Sequence, residues 1–137
     1  MGSFEGKGMV IQGLRFIPPK EALATLLDGV ILVDLRSDEL LEMKAFRVPE
    51  VIYIPHRELL RLVSKLPSDR PLLLADSSRV FTKDAAHLLL DRGFTQAACL
   101  NGGMLVWDQE GLPVATDPEA ILHGECACVM RSCKERL

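Results

Sequence analysis

The stretch PLLLADSSRVFTKDAAHLLLDRGFTQAACL, residues 71–100, carries the reading on which the fold rests. It opens with the four apolar residues Leu72 to Ala75, a run short enough for a strand covered on both faces. A polar loop follows, and then Phe81, Ala85, Leu88 and Leu89 recur at helical spacing, so this face is expected to meet a core. Gly93 is placed to stop that helix, and Ala97 to Leu100 form a second short apolar run. Strand, helix and returning strand describe a crossover unit, which joins parallel strands.

The same alternation extends outward in both directions. Arg15 to Ile17 reads as a first short strand, and Pro18-Pro19 introduces a helix over Lys20 to Leu27, with Leu23, Leu26 and Leu27 on one face. Val30 to Val33 is the next strand, and Ser37 is placed to cap a helix that starts at Asp38-Glu39. Val51 to Ile54 precedes Pro55, and Leu59, Leu62, Val63 and Leu66 give Arg57 to Leu66 a helical period. Downstream, Asn101-Gly102-Gly103 turns into a short helix that carries Trp107, and Glu110 to Pro113 ends it. The expected fold class is α/β, a single domain with a mainly parallel central sheet and helices on both faces. Residues 14–116 form that domain, residues 1–13 are an N-terminal segment, and residues 117–137 are a short tail containing cysteines.

Composition narrows the function classes. The chain has 137 residues, 48% of them hydrophobic, enough to fill one core without disulfides or metals. A net charge of −3 offers no basic surface for nucleic acid. No apolar run reaches the ~18–20 residues of a membrane span, and Met1 to Met9 has no hydrophobic stretch of the signal-peptide kind. The expectation is a cytoplasmic protein that binds neither nucleic acid nor membrane. Of four cysteines, Cys126, Cys128 and Cys133 crowd into the tail, well apart from Cys99, unlike a secreted framework whose disulfides staple distant segments.

Three segments, in order, resemble the rhodanese homology domain over roughly Phe16 to Val114. Val33-Asp34-Leu35-Arg36 is similar to the family's Asp-x-Arg at the end of an early strand. Leu72 to Leu90 is similar to its strand, loop and helix, with Ala85-Ala86 at the paired small residues. Leu100-Asn101-Gly102-Gly103-Met104-Leu105-Val106-Trp107, followed by Gly111-Leu112-Pro113-Val114, keeps the most specific spacing. The resemblance implies a sulfurtransferase fold. In such a fold, loop N–H groups at a helix N-terminus curl around one cysteine sulfur and stabilise a thiolate or persulfide.

Departures from the family pattern fall on that loop. Counted back from Ala85-Ala86, the family's cysteine position is Asp76 in this chain, and the degenerate loop runs Asp76-Ser77-Ser78-Arg79-Val80-Phe81. Arg79 replaces a common glycine, and Phe81 stands where many members carry arginine. Phe46-Arg47-Val48-Pro49-Glu50-Val51 replaces the usual Gly-His-Ile-Pro-Gly-Ala, and no cysteine lies between Asp34 and Ala98. No residue is therefore assigned as catalytic in this loop.

Asp34, Arg36, Asp76 and Arg79 are the candidate binding residues. Each also has a structural reading: ion pairing for Asp34 and Arg36, a helix cap for Asp76, and solvation or pairing with Asp76 or Asp84 for Arg79. His123, Cys126, Cys128 and Cys133 form a second candidate site, whose soft ligands suit zinc or copper. Idle thiols and persulfide chemistry are the competing readings of the same residues. Three functions follow: a non-catalytic module that binds a protein partner or an anion, a sulfurtransferase or sulfur carrier using the tail cysteines, and a small metal-binding protein.

Overall fold

The computed structural model describes residues 4, 6–36, 44–77, 81–94 and 96–115. The expected helix at Asp38-Glu39, Arg79, and the tail residues His123, Cys126, Cys128 and Cys133 all lie outside the described residues.

The core is a sheet built from short runs of branched and aliphatic residues. In chain order its strands are β1 (Met9–Ile11), β2 (Leu14–Ile17), β3 (Ile31–Asp34), β5 (Val51–Tyr53), β6 (Leu72–Ala75) and β7 (Ala97–Leu100). A separate antiparallel pair joins β4 (Ala45–Phe46) to β8 (Val114–Ala115). The spatial order in the main sheet is β1-β2-β7-β6-β3-β5, and every pairing is parallel except that of β1 with β2. All four residues of β3 and of β6 are buried, so side chains on both faces of the sheet are covered, as the unbroken apolar runs require.

The helices are α1 (Pro19–Leu27), α2 (Leu59–Leu62), α3 (Thr82–Asp91) and α4 (Gly103–Gln109), with α2 flanked by single 3₁₀ turns at His56–Glu58 and Val63–Lys65. Helix α3 packs on β6 and β7, and α1 packs beside α4. No helix of the described residues is long and apolar enough to cross a membrane.

Several sequence expectations are corrected. The period over Arg57 to Leu66 is a broken helix, although Leu59, Val63 and Leu66 do point inward. In α1 the buried face is Ala22, Thr25 and Leu26, and Leu27 is exposed. In α3 the inward face is Thr82, Ala85, Ala86 and Leu89, so Phe81 lies one residue before the helix and outside the core. Strands β1, β4 and β8 were not anticipated; each is at most three residues long, below the length at which alternation can be read.

The turn into α4 shows why this segment carries its glycines. Gly102 has φ +89°, in the left-handed region, and a Cβ there would stand 2.4 Å from Val106 Cγ2. Past the helix, Gly111 at φ +73° reverses the chain and its N–H bonds to the Asp108 carbonyl. Gly102→Ala is expected to destabilise the fold by about 2 kcal/mol through combined backbone strain and contact. Denaturant unfolding measures this, and adding Val106→Ala should recover only the contact share of the loss.

Candidate functional site

The carboxyl ends of the parallel strands meet at one edge of the sheet, the place where open α/β sheets set their sites. β3 leads there into Asp34-Leu35-Arg36, β6 into Asp76-Ser77, and β5 into Ile54-Pro55-His56. Backbone bonds lock these exits together: Leu35 N–H donates to the Ala75 carbonyl (2.8 Å), and His56 N–H to the Leu35 carbonyl (2.9 Å).

Asp34 and Arg36 are both buried and satisfy one another. Arg36 Nε donates to Asp34 Oδ1 (3.0 Å) and Nη2 to Oδ2 (2.8 Å), while the Arg36 backbone N–H also reaches Oδ1. This two-pronged pair has its donors and acceptors matched in the fork geometry that makes arginine–carboxylate contacts strong. The guanidinium lies over the Phe46 ring, 5.1 Å from its centroid. Phe46 meets Trp107 edge-on at 5.2 Å, and Trp107 Nε1–H donates to the Pro113 carbonyl (2.8 Å). The Asp-x-Arg segment and the Trp-to-Pro segment, distant in sequence, are therefore joined by one chain of contacts through Phe46.

At the end of β6, Asp76 is buried, and its Oδ2 accepts the Phe81 N–H at 2.7 Å. Phe81 is the residue immediately before α3, so the carboxylate satisfies an N–H that the helix leaves without an internal partner. The loop carbonyls serve α4 in turn: Asp76 O accepts from Met104 N–H and Ser77 O from Leu105 N–H, both at 2.9 Å. Asp76 thus ties its own loop to the starts of two helices, one through its side chain and one through its backbone.

Phe81 stacks on His56 with centroids 4.1 Å apart and planes inclined by 17°. The sequence showed no partner for His56; only the fold brings the β5 exit against the end of the loop. Phe81 is 41% exposed and Leu105 is 57% exposed, so these two side chains present apolar surface beside the loop.

Cys99 on β7 lies against Thr82, the first residue of α3. It is fully buried, and its Sγ donates to the Thr82 carbonyl at 3.7 Å. Burial pushes its thiol from 9.0 up to about 12, the bond to Thr82 opposes this, and the Asp76 carboxylate adds to it. The thiol is therefore protonated and unreactive near neutral pH. The Thr82 hydroxyl is also buried and has no hydrogen-bond partner among the described residues. No group of three or more His, Cys, Asp or Glu placed to hold a metal ion occurs among the described residues.

Residues 19–110 match the rhodanese-like domain family. The chain belongs to that family. Among relatives of this rhodanese-like domain, a thiosulfate sulfurtransferase GlpE from Pseudomonas savastanoi is 25% identical over 108 residues, covering 79% of this chain and 94% of the relative. A sulfurtransferase from Allochromatium vinosum is 26% identical over 87 residues, covering 64% of this chain and 79% of its own. In fold, the rhodanese-like domain is similar to a rhodanese-related protein from Thermoplasma volcanium. That likeness has a TM-score of 0.66 and 21% identity, over 75% of this chain and 99% of the other.

Removing one member of the buried pair strands the other's charge, so Asp34→Ala is expected to cost about 3–5 kcal/mol. Asp34→Ala combined with Arg36→Met should cost less than Asp34→Ala alone, as chemical denaturation would show.

The raised Cys99 thiol sets the sign of a pH effect. A protonated thiol favours the folded state, and that contribution is complete below the unfolded value of 9.0 and lost as pH rises toward about 12. Stability is expected to fall above pH 9 by up to ~1.4 kcal/mol per pH unit. Comparing the pH slope of unfolding with that of Cys99→Ala measures it, the variant being flatter. Asp76→Asn should lower the Cys99 value while burial still holds it raised.

Proposed function

We propose that this rhodanese-like domain does not transfer sulfur through the loop between β6 and α3, and acts instead as a binding module for a protein partner. One observation carries the reading. Asp76, at the position that the family resemblance assigns to cysteine, places its carboxylate on the Phe81 N–H. Sulfane sulfur transfer needs a thiolate that attacks sulfur and holds it as a persulfide; a carboxylate does neither. Cys99 supplies no substitute, because its sulfur is buried and protonated at neutral pH.

The same carboxylate argues for a protein partner over an anion. A negative group already sits at the start of α3, where an anionic ligand would otherwise find its favourable field. Beside the loop, Phe81 and Leu105 are exposed, with His56 stacked against Phe81. Aromatic and aliphatic side chains of this kind anchor protein interfaces.

A second reading draws on the relatives named as thiosulfate sulfurtransferases. In it, Cys126, Cys128 or Cys133 carries the sulfur in place of a loop cysteine, with metal binding as the competing use of these thiols. Thiocyanate formation from thiosulfate and cyanide tests both. We expect none from the wild-type chain and none from a variant with all three tail cysteines changed to serine. Activity that persists in the triple variant overturns the proposal for the loop, and activity confined to the wild type moves the function to the tail.

A further inference from the structure

We infer that the outer edge of β1 is a self-association surface, on which a second copy of this chain lays its own β1 antiparallel to the first. The two edges of the main sheet differ. At one edge, β5 has Val51, Ile52 and Tyr53 all buried. At the other, Met9, Val10 and Ile11 of β1 are 57%, 56% and 45% exposed, and no strand among the described residues pairs with the outer side of β1.

β1 buries none of its side chains, yet its backbone is held at both ends. Gln12 (φ +54°) and Gly13 (φ +84°) form the turn between Ile11 and Leu14, both in the left-handed region that suits a tight two-residue hairpin. Gln12 is the one described residue other than glycine with positive φ, a conformation that costs free energy. At the opposite end, Arg15 Nη1 donates to the Lys7 carbonyl (2.6 Å), and the Gly8 N–H donates to Glu21 Oε1 (3.0 Å). Gly8 also approaches β2 so closely that a Cβ would stand 2.1 Å from the Phe16 carbonyl oxygen. Phe4, just before, is anchored in the core. These contacts order a strand that adds no side chain to the core; what they preserve is its edge. The strand also lies outside residues 19–110.

The strand's chemistry selects a second copy as its occupant. A two-fold axis at Val10 sets Val10 against Val10, Met9 against Ile11 and Gly8 against Gln12. No charge stands between Gly8 and Leu14, and Lys7 falls opposite Gly13, so no like charges meet. Met9 and Ile11 share one face, and their two-fold mates extend it into an apolar patch that neither copy has alone. Edge strands kept apart usually carry charge or proline, and β1 has neither. Pairing also closes the assembly, because the joined sheet then ends on β5 at both sides. Three side chains per copy cover far less than the ~800 Å² per partner of a stable interface, so the dimer is reversible and concentration-dependent.

Sedimentation equilibrium of the full chain under reducing conditions tests this between about 10 µM and 1 mM, where weak complexes form. The average mass should climb from that of one chain toward that of two. Val10→Lys, which sets two ammonium groups face to face at an exposed site, should hold the mass of one chain with an unchanged melting temperature. Leu105→Lys, at an exposed position on α4 outside β1, should dimerise like the wild type. A wild type that stays monomeric throughout, a Val10→Lys chain that still dimerises, loss of dimer in Leu105→Lys, or growth beyond two copies would each overturn the inference.

Discussion

The Asp34–Arg36 ion pair is the contact on which the carboxyl edge of the sheet depends, because two opposite charges placed out of water must keep each other. Its geometry reaches well beyond the two residues. The guanidinium supports Phe46 of β4, Phe46 supports Trp107 of α4, and the indole N–H fixes the Pro113 carbonyl, next to which β8 returns to pair with β4. Leu35, between the two charges, receives His56 N–H on its carbonyl and gives its own N–H to Ala75. Asp34 to Arg36 and Gly102 to Pro113, two of the segments that carry the family resemblance, are thus joined into a single mechanical unit beside the end of β6.

Within that frame Asp76 and Ser77 turn hydrogen-bond acceptors toward the protein itself. Asp76 accepts from the approach to α3 with its side chain and from α4 with its carbonyl, and Ser77 accepts from α4 as well. A thiolate in such a cradle is poised to react with what arrives; a carboxylate in it stabilises the helix start and stays. The buried thiol of Cys99 is disfavoured as an anion by desolvation and by the nearby carboxylate. At the same edge Phe81 stacks on His56, and Leu105 donates its backbone N–H to the Ser77 carbonyl.

Much of the fold was legible in the sequence. Leu72 to Ala75 and Ala97 to Leu100 are strands with the expected bounds, since unbroken apolar runs of this length suit a sheet covered on both faces. Trp107 in its short helix after Gly102-Gly103 was also legible, because only a glycine adopts that turn without strain. Of the site, a hydrogen bond from the start of the next helix to Asp76 and the pairing of Asp34 with Arg36 followed from residue type and placement at strand ends. Phe81 was misplaced because helical periodicity does not say where the first turn begins; starting at Thr82 rotates the buried face by one residue.

By itself, then, the sequence determined the alternation of strands and helices, the family resemblance, and the absence of any cysteine between Asp34 and Ala98. Only the tertiary structure decided that His56 lies on Phe81, that Cys99 lies against Thr82 and near Asp76, and that Met9 to Ile11 form an exposed sheet edge. The reason is physical. Periodicity and composition report which side chains avoid water along one segment, whereas the first two contacts join segments distant in sequence and the third depends on which strand takes the edge of the sheet. Their geometry is set by how parallel strands are ordered in the sheet, which no local pattern encodes.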